Sequence, residues 1–202
     1  MTQTVYRRLM ASGGLGEYVD RHVFACVIAV CRGDPARTLA DGTGLAPDTL
    51  TLLVDLHFPG CEDILADPPT AVPDTAAALE EEDLVQLLLD HRSDPHNIRS
   101  AWMAALVARR SLGANHLWQD LGLTRRDELS ALLTRHFRPL AALNVQNMKW
   151  KKFFYRQLCQ REGILICKAP NCEVCTDFAH CFGPETGDPL ATLAEAARVA
   201  AE

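Results

Sequence analysis

Four cysteines crowd into one short stretch: Cys167, Cys172, Cys175 and Cys181, spaced C-x4-C-x2-C-x5-C. Thiolates gathered in this way offset the positive charge of a metal, and short spacers lower the loop-closure cost of bringing them together. The two-residue gap between Cys172 and Cys175 lets both sulfurs point inward from one turn. The opening C-x4-C-x2-C has the spacing of the plant-type ferredoxin run, whose fourth cysteine lies far downstream. Zinc is the main competitor. Structural zinc sites pair two C-x2–4-C knuckles separated by a longer stretch, whereas this run holds a single C-x2-C. The spacing therefore favours an iron–sulfur type cluster, leaves zinc open, and puts disulfides third in a reducing compartment. His180, beside Cys181, is a candidate fifth donor, although a histidine next to a ligand more often faces outward.

The remaining reactive side chains read more plainly. Cys26, Cys31, Cys61 and Cys159 fall in apolar or helical surroundings and are expected to act as small buried hydrophobes. His57, His91 and His136 lie on apolar helix faces, where a satisfied core histidine is the default; His22, His96 and His116 are scattered. No nucleophile–base pair and no two-histidine metal motif is present, so the expectation is a protein that is not an enzyme. Between Asn147 and Arg156 aromatic and basic residues alternate. Trp150, Phe153, Phe154 and Leu158 are expected in the core. Lys149, Lys151, Lys152 and Arg156 either face water or, lying just before the cysteine run, attract an oxyanion or an acidic partner.

The elements that must position these residues read as helix after helix. The chain has 202 residues, 48% of them apolar, enough to bury a core. Leu15 to Cys31 is an amphipathic segment, and Thr38 to Leu45 a weaker one with Gly42 and Gly44. Pro47 opens a short helix faced by Leu50, Leu53, Val54 and His57. Residues 61–74, with Pro68, Pro69 and Pro73, read as a loop or hinge. Thr75 to Arg92 is helical, with Glu80, Glu81, Glu82 and Asp83 a solvated acidic run that suits a helix N-terminus. Ser93-Asp94-Pro95 signals a restart, Thr124 with Asp127 a capping box, and Pro139 a long segment running to Glu162, capped by Gly163. No internal repeat and no period-two strand is read. The expected fold is all-α, an irregular helical bundle with a C-terminal cysteine-rich metal-binding loop. Its parts are a helical domain over 1–163, the cysteine loop over 164–185 and an Ala-rich tail over 186–202.

The net charge of −6 excludes a global basic field for nucleic acid. No stretch approaches the roughly 20 apolar residues of a membrane span. Arg7 and Arg8 are not followed by an apolar signal stretch, so a cytoplasmic protein without membrane contact is expected.

The run His116-Leu117-Trp118-Gln119-Asp120-Leu121-Gly122-Leu123, then His136-Phe137-Arg138-Pro139-Leu140, then Asn144 to Cys159, and finally Cys181-Phe182-Gly183-Pro184-Glu185, resembles the NifQ family of nitrogen-fixation proteins. The resemblance is strongest from Asp90 to Glu185 and looser over the first ninety residues, where pieces such as His57-Phe58-Pro59-Gly60 are similar. It implies an iron–sulfur protein carrying molybdenum in a mixed Mo–Fe–S cluster and donating it to assembly of the nitrogenase iron–molybdenum cofactor. It also implies the nitrogenase iron protein and the NifEN scaffold complex as partners. The family's cysteine motif falls on Cys167, Cys172, Cys175 and Cys181 without a gap, as cofactor and metal ligands. A donor must release its cargo, so incomplete protein ligation of the molybdenum is expected. A ferredoxin-like electron carrier and a zinc-stabilised helical interaction module remain the alternatives.

Overall fold

The structure, a computed structural model, describes residues 2–67, 79–163 and 178–189. Among these it is all-helical. The helices are α1 (Thr2–Ala11), α2 (Tyr18–Arg32), α3 (Leu39–Thr43) and α4 (Pro47–His57), then, after a 3₁₀ turn at Glu62–Leu65, α5 (Leu79–Asp90) and α6 (Ile98–Ser111). They continue with α7 (Leu117–Asp120), α8 (Arg126–His136), α9 (Arg138–Leu143), α10 (Trp150–Arg161) and α11 (Phe178–Phe182). The second part of the expected hinge, the start of the expected helix at Thr75, and the tail from residue 190 lie outside the described residues.

α2 is the central element. Val23 through Ala29 are all buried, so the middle of this amphipathic helix is enclosed on every side. A helix buried all round must be wrapped by others, and α1 and α3 cover it from the same half of the chain. Each fully enclosed Leu or Phe contributes about 1.5–3 kcal/mol of burial, and Phe24, Phe58, Phe137 and Phe154 are all at 0% exposure.

An internal repeat is present, against the expectation. The run α1–α2–α3–α4 has the same plan as α5–α6–α7–α8. Leu39, Leu45, Leu50, Leu53 and Val54 correspond in order to Leu117, Leu123, Leu129, Leu132 and Leu133, and all ten are buried. Gly44 and Gly122 occupy the same place after the short helix, at φ +71° and +75°. That left-handed conformation suits glycine, which has no Cβ to clash. α4 and α8 both end on His-Phe. Phe58 (φ −142°, ψ 55°) and Phe137 (φ −136°, ψ 47°) close the two helices with nearly the same dihedrals. Their N–H groups donate to Val54 and Leu133 at 2.7 and 2.8 Å.

Three local expectations are corrected. α6 begins at Ile98, not at Pro95: Asn97 Oδ1 accepts from Arg99 N at 3.0 Å as the cap, while Asp94 Oδ1 accepts from His96 N in a tight turn. Thr124 pairs with Glu128 rather than Asp127, through both its N–H (2.9 Å) and its hydroxyl (2.6 Å). The long segment from Pro139 is broken into α9 and α10. Asn144 clamps Met148 on both sides of the break, accepting from its N–H at 2.8 Å and donating to its carbonyl at 2.9 Å. Asn147 sits there at φ +56°.

Candidate functional site

Of the four cysteines read as ligands, Cys167, Cys172 and Cys175 lie outside the described residues, and Cys181 is on α11. Cys181 is half-buried and packs with Phe182 on the core. Phe178 stacks on Phe182 with ring centroids 4.5 Å apart, although Phe178 itself is 47% exposed. His180, the candidate fifth donor, is exposed. No group of three or more His, Cys, Asp or Glu among the described residues is arranged to hold a metal ion.

The other cysteines behave as expected for Cys26, Cys31 and Cys61, which are buried. Burial pushes all three thiols up, which keeps them protonated and poor as metal donors at neutral pH. Cys159 is only half-buried, because it lies on the α10 turn that leaves the core. His57 and His136 are core histidines. His57 is pushed down by burial and bonds the Leu15 carbonyl through Nδ1. His136 joins Ser100 Oγ and Asp20 Oδ1, each at 3.0 Å. Burial pushes the Asp20 carboxyl up, but the bonds to His136 and Arg135 outweigh it and hold it below its ordinary value. His91 is half-buried and bonds the Leu87 carbonyl at 2.8 Å.

A set of contacts absent from the sequence reading ties α11 and the residues after it to the helical body. Lys149 N–H, at the start of α10, donates to the Cys181 carbonyl at 2.8 Å. The Lys149 ammonium reaches the Ala179 carbonyl at 3.4 Å. Arg126, on α8, donates through one guanidinium nitrogen to the Asn147 carbonyl (3.0 Å), Asn147 Oδ1 (2.9 Å) and the Met148 carbonyl (2.8 Å). Its other terminal nitrogen lies 3.4 Å from Glu185 Oε1, and His116 Nδ1 lies 3.9 Å from the same oxygen. The Glu185 side chain is 4% exposed. Gln119 accepts from His116 N at 3.1 Å and donates to the Asp188 carbonyl at 2.8 Å.

The basic residues of α10 divide accordingly. Lys151 does not face water: it binds Asp120 Oδ2 at 2.5 Å and the Gly113 carbonyl at 2.7 Å. Lys152 is exposed, while Trp150, Phe153 and Phe154 are buried as expected. Asp120 is itself buried and takes a further bond from Asn115 at 3.1 Å. Phe182 and Met148 face a cavity of about 270 Å³ between the α9–α10 break and α10, with Phe153, Arg156 and Gln160 among its walls.

These contacts bring together residues far apart in sequence. His116, Gln119 and Asp120 hold the flank of the cysteine run and α10, and so does the segment from Asn144 to Lys149. The NifQ family model matches residues 23–183, a span containing all four cysteines. A NifQ homolog from Sinorhizobium fredii is 40% identical over 174 residues, covering 84% of this chain and 74% of that protein. NifQ of Rhodobacter capsulatus is 41% identical over 145 residues, 70% of this chain and 76% of its own. NifQ of Azotobacter vinelandii is 50% identical over 108 residues, 52% of this chain and 54% of its own. No solved structure matches the chain. With a family match across most of its length and relatives at this identity, the chain belongs to the NifQ family.

Proposed function

We propose that the chain is a molybdenum carrier of nitrogen fixation, holding a molybdenum-containing iron–sulfur cluster on Cys167, Cys172, Cys175 and Cys181. The observation that carries this reading is the family match, whose span, residues 23–183, includes all four cysteines. The donor chemistry agrees with it. Molybdate is a hard, oxygen-bound ion, and soft thiolates and sulfides suit a sulfur-bound form of the metal. Cys181 is anchored through its main-chain carbonyl, which accepts from the Lys149 N–H at 2.8 Å. The cluster is cargo. The chain binds and releases it without turnover chemistry, and a ligand at molybdenum that is not a protein thiolate gives the exit route.

The receiving machinery is the assembly line of the iron–molybdenum cofactor, with the nitrogenase iron protein and the NifEN scaffold complex as partners. No helix among the described residues is long and apolar enough to cross a membrane, and the reading places the exchange in the reducing cytoplasm, where the thiolates persist.

Metal analysis with a visible spectrum on anaerobically purified protein tests the proposal. Iron, acid-labile sulfide and molybdenum in a brown protein are the expected result. A colourless protein with one zinc per chain would point to a zinc-stabilised interaction module, and reversible one-electron cycling without molybdenum to an electron carrier. Cys172→Ala should abolish iron and molybdenum binding with helical content retained; a variant that still donates molybdenum would remove the loop from the mechanism.

A further inference from the structure

Arg126 and Glu185 are not ligand types for a thiolate-bound cluster, yet they meet four residues after Cys181 with both side chains enclosed. Glu185 is enclosed to 4% side-chain exposure, and Arg126 to 18%. A carboxylate buried to that degree is costly unless it is paired, and removing its partner leaves an uncompensated charge. The pair therefore does one of two things: it stays closed, or the segment carrying Glu185 comes away from the body. Arg126 is also the residue that shapes the α9–α10 break, since three of its bonds end on Asn147 and Met148. The next residue, Lys149, gives its N–H to the Cys181 carbonyl. One guanidinium thus reaches the cysteine from both sides, through the break before α10 and through Glu185 after α11.

The two halves of the repeat single out the same residues. In the first half the short helix is capped within itself: Thr38 Oγ1 accepts from Asp41 N at 3.0 Å and donates to Asp41 Oδ2. In the second half the corresponding positions are His116 and Gln119. Gln119 still caps, but it also reaches out to the Asp188 carbonyl. The helix after it starts with Pro47 in the first half and with Arg126 in the second, each followed by an aspartate. The departures from the shared plan are the groups that grip residues 181–188.

We infer that Arg126, Glu185, His116 and Gln119 form a clasp that fixes Cys181 on the helical body before any metal arrives, with Arg126 as the positioning residue. This deepens the carrier reading and rests on it only for the purpose of the clasp, not for its existence. Three cysteines of the motif precede α11 in the sequence, and the clasp gives the fourth a fixed place on the helical body. Holding one ligand in place lowers the ordering cost of assembling the rest.

The test reads Cys181 directly, in the metal-stripped full-length chain, by the rate of iodoacetamide alkylation at that residue measured by mass spectrometry. Arg126→Gln should raise the rate about tenfold or more, because the stranded Glu185 charge drives the segment off the body. Arg126→Lys, which keeps the charge but not the fork, should fall in between. The double variant Arg126→Gln/Glu185→Gln should be alkylated more slowly than Arg126→Gln alone, since no buried charge is left unpaired; that sign of coupling is not expected from loss of packing. Cys26 alkylation and helical content serve as controls for global unfolding. If Arg126→Gln does not fold, Glu185→Ala carries the test, with Cys181 faster and Cys26 unchanged. In loaded protein the spectroscopic signature of the cluster should change in Arg126→Gln. Faster Cys181 alkylation in a chain that binds no metal would keep the clasp and overturn the carrier reading. An unchanged Cys181 rate in both Arg126→Gln and Glu185→Ala would overturn the clasp whatever metal is bound.

Discussion

Half one and half two of the repeat share a frame and differ in what they face. Both place leucines and a His-Phe pair in the core, and both turn on a left-handed glycine after the short helix. Around α3 the first half looks inward. Gly42 leaves room for Cys31, whose Sγ would lie 2.7 Å from any added Cβ. The matching position in the second half is Asp120, which instead needs room made for it: Gly113 has no Cβ where the Asp120 carboxylate sits, 2.5 Å from that point. Asp120 spends its two oxygens on Asn115 and Lys151. The comparison shows how a closed helical unit becomes a platform. The core positions stay apolar, and a few positions on one edge exchange self-contained contacts for long-range ones.

Breaking the platform at Asp120 should give the largest effect. Asp120→Ala removes the partner of Lys151, whose side chain is 18% exposed, and loses the bond to Asn115. We expect about 3 kcal/mol of destabilisation in thermal or urea unfolding. The corresponding change in the first half, Gly42→Ala, acts by overpacking against Cys31 and should cost about 1–3 kcal/mol. Equal behaviour of the two variants toward salt would count against the comparison, because only the Asp120 pair is ionic and screened.

What could be read in the sequence was periodic or local. The all-helical class, Pro47 in the first turn of α4 and the glycine after α10 follow from patterns a few residues long. The cysteine motif was legible for the same reason, since its four members share one short run. The repeat was not, because its matches are single buried leucines and one His-Phe pair, and the stretch from Leu123 to Leu129 is one residue longer than that from Leu45 to Leu50. The break at Asn144 to Lys149 was missed because its cause is tertiary. The local residues can continue a helix, and the Arg126 guanidinium from α8 helps to hold Asn147 out of it. The pairing of Arg126 with Glu185 gave no signal for a related reason: an arginine and a glutamate 59 residues apart have no spacing to interpret.

A middle-sized effect belongs to Glu128, which the first half lacks. Burial pushes its carboxyl up, yet the His22 ring 3.7 Å away and the two bonds from Thr124 outweigh burial and hold it at about 2, below the 4.5 of an ordinary glutamate. A depressed folded value means that its stabilisation is fully present above about pH 4.5 and is lost as pH falls toward 2. That contribution is on the order of 2–3 kcal/mol at neutral pH. Glu128→Gln should remove most of it and flatten the acid limb of a stability–pH curve between those values. A curve as steep as that of the unaltered protein would assign the acid sensitivity elsewhere, with Asp20 the next candidate.

The smallest expected effect separates the two caps most finely. Thr38→Ala removes the side-chain cap of α3, and Gln119→Ala removes that of α7; each should cost about 1 kcal/mol of global stability. The two should differ in place rather than in size. Thr38 and Asp41 bond each other, so the first loss stays within α3 and its neighbours. Gln119 also holds the Asp188 carbonyl, so its loss should speed amide hydrogen exchange across residues 183–188 while leaving exchange at α3 unchanged. If Thr38→Ala loosened the 183–188 segment as much as Gln119→Ala, the second half would have no special hold on the cysteine flank, and the two units would be one cooperative body without a platform edge.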